Sequence, residues 1–208
     1  MGIGRSVRNI ADHRAALQHR ILSPVTAVLV RIGVRPLPLN VLALAFGLLC
    51  AIFVAQEELR TAAVMLALST LADGLDGDLA RSLQLDSDFG AFVDSVSDRY
   101  VDLAILLAVS WYFRYQESKY LLLTYATIAG TVVTSYSRAR GESLGQSLGS
   151  KGILTRVGRM VLLLVGFVYP PTLRVVIWVL AVLSNVTAIQ RIWLYCNLVS
   201  RETRGKSN

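Results

Sequence analysis

Apolar runs long enough to cross a bilayer recur through most of this chain, and that recurrence restricts its fold more than any other feature. A hydrocarbon layer of about 30 Å takes about 20 helical residues, and every backbone polar group within it must be satisfied internally. The runs here are continuous rather than alternating, so helices are the expected solution. Six spans are predicted, over residues 38–55, 61–81, 88–113, 119–140, 152–169 and 172–198, with Pro170 and Pro171 breaking the chain between the last two. The third is unusually polar in its first half. The predicted fold is therefore all-α and polytopic, a single membrane domain over residues 1–208 with a six-helix bundle at 38–198. No stretch is long and polar enough to make a separate soluble core, and no internal repeat is visible.

Residues 1–20 are not a span. Ile3, Val7, Ile10 and Leu17 recur at helical spacing with Arg5, Arg8, Arg14 and Arg20 between them, the pattern of an amphipathic helix lying on a membrane surface. The net charge of +7 comes without a base-stacking or groove-reading motif, which argues against nucleic acid and for anionic headgroups. Six arginines precede the first span, five Lys or Arg lie from Arg138 to Arg159, and four lie from Arg191 onwards. The other side carries only Arg60, Arg114, Lys119 and Arg174. Both termini are therefore expected in the cytoplasm, which agrees with an even number of spans and a cytoplasmic membrane location. Cys50 and Cys196 sit in apolar surroundings without metal-ligand spacing and read as small buried residues.

Against that background the aspartates stand out. Asp73, Asp76 and Asp78 close the second run, and Asp94, Asp98 and Asp102 open the third. Carboxylates in membrane helices are costly and rarely face lipid. Asp73 and Asp76, spaced i, i+3, share one helix face; Asp94 and Asp98, spaced i, i+4, share another. If the two helices pack side by side, four carboxylates converge, and only cations between them relieve the repulsion. Oxygen ligands without His or Cys point to magnesium, manganese or calcium rather than zinc. Gly77 and Gly90 leave backbone open beside the cluster, and Arg81 is placed to neutralise phosphate oxygens. Together these describe a pyrophosphate site. Merely interfacial acids, a cation pathway or an intramembrane prenyltransferase would also place acids here, but none of them asks for both the glycines and the Ala80–Arg81 step.

Residues 73–98 read DGLDGDLARSLQLDSDFGAFVDSVSD. This resembles the signature of the CDP-alcohol phosphotransferases, D-x2-D-G-x2-A-R-x8-G-x3-D-x3-D, and matches every fixed position: Asp73, Asp76, Gly77, Ala80, Arg81, Gly90, Asp94 and Asp98. The resemblance implies a homodimeric enzyme with its active site at the cytoplasmic membrane face. Asp73, Asp76, Asp94 and Asp98 would hold two divalent ions, Mg2+ or Mn2+, on a CDP-linked lipid donor such as CDP-diacylglycerol or CDP-archaeol. Asp98 would also be the general base, freeing an acceptor hydroxyl to attack the lipid-bearing phosphorus and expel CMP. Asp73, Gly77, Ala80, Arg81 and Gly90 would form the donor pocket. The family commonly has Pro-Asn-x-x-Thr before the first span; here the stretch from Pro36 supplies Asn40 as the hydrogen-bonding residue.

Segments DSVSDRY, SYSRAR, KGILTRVGR and AIQR resemble those of members that use inositol phosphate, the phosphatidylinositol-phosphate and archaetidylinositol-phosphate synthases. That likeness implies an acceptor phosphate bound by Arg138, Arg156, Arg159 and Arg191. The same chemistry with glycerol 3-phosphate or a free alcohol is the alternative, although glycerophosphate users typically carry Asp-Pro and Asp-Lys where this chain has Asp94-Ser95 and Asp98-Arg99. The inositol group commonly has Ala-Glu-Arg in place of Leu154-Thr155-Arg156.

Overall fold

The computed structural model describes residues 22–85, 87–146 and 152–206, with side chains as far as Ser200. The amphipathic helix expected over residues 1–20 lies outside the described residues. Every regular element among those described is helical: α1 (described from Leu22 to Arg31), α2 (Pro36–Ala55), α3 (Leu59–Leu83), α4 (Asp88–Tyr112), α5 (Ser118–Ser143), α6 (Arg156–Val168) and α7 (Leu173–Lys206). A single 3-10 turn at Pro170–Thr172 separates α6 from α7, where the two prolines remove backbone donors.

Four of the helices end in a common way. At the close of α1 the amide of Val34 reaches the carbonyl of Leu29 and that of Gly33 reaches Val30, at 3.0 and 3.1 Å, with Gly33 at φ +74°. The same paired bonds close α5, where Gly145 takes φ +82°. These satisfy the last carbonyls of each helix without borrowing water. α2 and α3 end identically on Glu57 and Gln84, non-glycine residues at positive φ. The chain therefore leaves α3 in a tight turn and re-enters helix at Asp88. There Ser87 accepts the amide of Gly90 at 3.1 Å, capping the new helix.

The chain divides into two compact units, residues 1–112 and 113–208. In the first, α2 packs against both α3 and α4. Gly47 makes the second contact possible, since a Cβ there would lie 2.5 Å from Val101 Cγ2. Ser69 ties α3 to α2 by donating to the carbonyl of Ala43 at 2.8 Å. α3 and α4 share α2 as their common neighbour. The core of the unit is built from Cys50, Val54, Leu66, Leu79, Ile105 and Leu106.

In the second unit, α7 packs against α5 and α6. A Cβ on Gly130 would meet the backbone amide of Asn185 at 2.8 Å, so α5 and α7 touch at backbone distance. Asn185 Nδ2 donates to the carbonyl of Ala126 at 2.9 Å, and Thr134 Oγ1 to that of Ser184 at 3.2 Å. α6 begins later than the fifth predicted span because Thr155 caps it, accepting the amide of Gly158 at 3.2 Å. Its 13 residues rise only about 20 Å.

Two helical stretches among the described residues, Pro36–Ala55 and Pro170–Ser200, are long and apolar enough to cross a membrane. The others are diluted by the residues that make them interesting: acids in α3 and α4, and hydroxyl-bearing and basic residues in α5.

Candidate active site

Acidic residues of α3 and α4 come together. Carboxylate oxygens of Asp73, Asp94 and Asp98 all lie within 4.8 Å of one another, and each of these residues is partly exposed. Two oxygens on opposite sides of one magnesium or manganese are separated by about 4.2 Å, twice the ordinary bond length, and by about 5 Å for calcium. The spacing therefore fits a hard cation, as does an oxygen-only donor set. Asp76 stands beside this group rather than in it: it is buried, and feels the charges of Asp73, Asp94 and Arg81.

Asn40 links the two halves. Its Nδ2 donates to Asp94 Oδ1 at 3.2 Å and interacts with the Asp76 carboxylate as well. The carbonyl end of the same side chain accepts from Ser97 Oγ at 3.1 Å, which fixes which way the amide points. Sequence reasoning placed Asn40 in the donor pocket; the structure brings its amide onto the acids. Ser97 was missed, although its position between Asp94 and Asp98 in DSVSD was a signal. Asp98 has Arg99 at 3.7 Å, and Arg99 is steadied by the carbonyl of Ser95 at 2.7 Å.

The glycines and arginine of the motif leave backbone open beside a guanidinium. A Cβ on Gly77 would lie 3.5 Å from Arg81 Nη1, so the guanidinium folds back over open backbone. Its side chain remains 60% exposed while Nη2 sits 3.6 Å from the fully buried Asp78. Ala80 and Gly90 are half-buried, Gly90 in the first turn of α4. An exposed guanidinium and the start of a helix both favour an anion.

The four other arginines belong to the second unit. Arg191, 7% exposed on α7, donates from Nη1 to the carbonyl of Thr134 on α5 at 2.8 Å. One turn later on α5, exposed Arg138 pairs with Glu142 at 3.0 Å. The segment leading into α6 docks on the same stretch of α7. Leu154 donates its amide to Thr187 Oγ1 at 3.0 Å, and Ile153 donates to Gln190 Oε1 at 3.2 Å. A Cβ on Gly152 would lie 3.6 Å from Arg191 Nε. Arg156 and buried Arg159 then occupy the first turns of α6. Thr187 and Gln190 thus gather the basic segments; the polar run SNVTAIQR within an apolar helix was their signal.

Comparison with known proteins agrees with this construction. Residues 34–199 match the family model for CDP-alcohol phosphatidyltransferase. The chain is 33% identical to a phosphatidylinositol phosphate synthase of Streptomyces avermitilis, covering 91% of this chain and 83% of that one. It is 30% identical to an archaetidylinositol phosphate synthase of Pyrococcus horikoshii, over 83% and 89% of the two. The crystal structure of the Mycobacterium tuberculosis phosphatidylinositol phosphate synthase with CDP-DAG bound superposes with a TM-score of 0.76 at 28% identity, over 85% of this chain and 94% of that one. The same enzyme in complex with manganese and citrate gives 0.75 at 28%, over 83% and 87%. The carboxylate cluster, the open backbone beside Arg81 and these matches lead to one conclusion: the chain belongs to the CDP-alcohol phosphatidyltransferase family and is an enzyme of that class.

Proposed function

We propose that this enzyme transfers a phosphatidyl-type group from a CDP-linked lipid to inositol phosphate and releases CMP. The observation that carries the reading is the convergence of Asp73, Asp94 and Asp98 in a chain whose relatives include synthases of both phosphatidylinositol phosphate and archaetidylinositol phosphate. Asp73, Asp76, Asp94 and Asp98 hold two divalent cations, Mg2+ or Mn2+, supported by a relative's complex with manganese. When bound, the cations draw charge from the donor pyrophosphate and make CMP a good leaving group. Asp98 takes the proton of the acceptor hydroxyl, whose oxygen bonds to the lipid-bearing phosphorus as the bond to the CMP oxygen breaks. Arg81 holds a pyrophosphate oxygen, and Gly77, Ala80 and Gly90 let the nucleotide approach the backbone.

Arg138, Arg156, Arg159 and Arg191 receive the acceptor's phosphate. Arg138 is available because its exposed pair with Glu142 is weak. Six spans carry the chain through the cytoplasmic membrane with both termini and the active site on the cytoplasmic side, and the working form is a homodimer. An acceptor panel tests the reading: labelled inositol phosphate, glycerol 3-phosphate, serine and inositol are each supplied with CDP-diacylglycerol or CDP-archaeol. Labelled lipid and CMP in equal amounts are expected from inositol phosphate. Product from glycerol 3-phosphate alone would replace that acceptor, and release of pyrophosphate would reject the chemistry.

A further inference from the structure

Asp78 is fully buried and takes no part in the metal cluster. Five residues after Asp73 and two after Asp76, it is rotated away from both by about 140° and 160° around α3. A carboxylate removed from water costs stability unless its oxygens are matched, and two of its partners are unlike. Oδ2 accepts the hydroxyl of Thr26 on α1 at 2.7 Å, and Oδ1 lies 3.6 Å from Arg81 Nη2. Thr26 is itself buried, 3% exposed, and its hydroxyl also lies 3.1 Å from the carbonyl of Leu22. A hydroxyl has one proton, and the shorter, charge-assisted contact to Asp78 is the stronger use of it. Arg81 has a long side chain that would otherwise sweep many rotamers in solvent; it is held on one edge, over Gly77, with most of its surface open.

We infer that Thr26 and Asp78 form a positioning relay, in which α1 orients the Asp78 carboxylate and Asp78 holds the Arg81 guanidinium in place to meet the donor's pyrophosphate. The inference rests on the assignment of Arg81 to the donor. Neither Thr26 nor Asp78 touches the reacting atoms. Their contribution is pre-organisation: a guanidinium already in place loses less freedom when an anion arrives. Donor affinity therefore depends on a threonine 52 residues away in sequence from the carboxylate it orients.

The test is steady-state kinetics on the full-length enzyme in detergent or vesicles. It uses Thr26→Val, Thr26→Ser, Asp78→Asn, Arg81→Ala and the double variant Asp78→Asn/Arg81→Ala, with melting temperatures alongside. Asp78→Asn and Thr26→Val are expected to raise the donor KM roughly tenfold, the size of one lost charge-assisted contact. The acceptor KM should stay put, and Thr26→Ser should restore the donor KM. In the Arg81→Ala background, Asp78→Asn should add little further, because its effect passes through the arginine. Additive losses, or a uniform fall in kcat with unchanged donor KM, would overturn the relay. If Arg81→Ala itself leaves donor KM unchanged, it is the assignment of Arg81 that fails. Should Asp78→Asn fail to fold, the pair Thr26→Val and Thr26→Ser decides the matter alone.

Discussion

Each acidic side chain in this molecule has its own surroundings, and the differences set what a substitution does. Asp73, Asp94 and Asp98 share an open cluster, so replacing any of them with Asn removes charge without leaving a cavity. Asp73→Asn, Asp94→Asn and Asp98→Asn are expected to lose most turnover while keeping near wild-type melting temperatures, and chelator should abolish activity in the parent. Full activity in chelator would end the two-cation reading. Asn40 acts at one remove, orienting Asp94 and Asp76 while Ser97 orients it. Loss of such an outer partner typically weakens metal affinity by about tenfold to hundredfold. Asn40→Ala should show that loss directly in Mn2+ titrations followed by electron paramagnetic resonance, with no substrate present. Arg191→Ala should raise the acceptor KM by a similar factor. It should also lower the melting temperature, because the bond to the Thr134 carbonyl goes with it. An equal fall in use of uncharged inositol would reduce Arg191 to a structural residue.

Helix packing depends on two glycines whose replacements should behave differently. At Gly130 the obstacle to a Cβ is the backbone and amide of Asn185, which cannot move aside. Gly130→Ala is expected to destabilise by about 1–3 kcal/mol, read as a lower midpoint of thermal unfolding. At Gly47 the obstacle is the side chain of Val101. Gly47→Ala should cost a similar amount, and the added change Val101→Ala should recover most of it. Failure of that rescue would mean the helices are held apart by something else. The elements themselves were largely legible: α2 to α5 begin and end within about three residues of the predicted spans. Asp73, Asp94 and Asp98 were legible too, because helical spacing puts them on matching faces. α1 was not foreseen, since Leu22–Arg31 is too short to span and carries no motif. Nor was Thr26 with Asp78, or the amide of Asn40 on the acids. Those contacts join residues more than 50 positions apart, and a lone Thr in an apolar run gives no hint of its partner. Thr155 shortened α6 because a capping side chain outweighed continued apolar sequence.

For the molecule as a whole, the proposed six-span arrangement has a direct consequence for labelling. Tyr115 is 87% exposed between α4 and α5, and Ser143 is exposed at the end of α5; that arrangement would put them on opposite membrane faces. Because Cys196 is exposed and Cys50 buried, a Cys196→Ser background makes the experiment clean. Tyr115→Cys should react with an impermeant maleimide from outside intact cells, and Ser143→Cys only after the membrane is opened. Labelling of both from the same side would remove the span between them.

The short stretch of sequence between α3 and α4 bears on biosynthesis as well. Residues 73–98 assemble the carboxylates inside the first compact unit, and each partner named for them, from Thr26 to Arg99, lies in that same half. As the chain leaves the ribosome, the acids and these partners are all synthesised before α5 to α7. A nascent chain halted near residue 112 already carries each of those named partners.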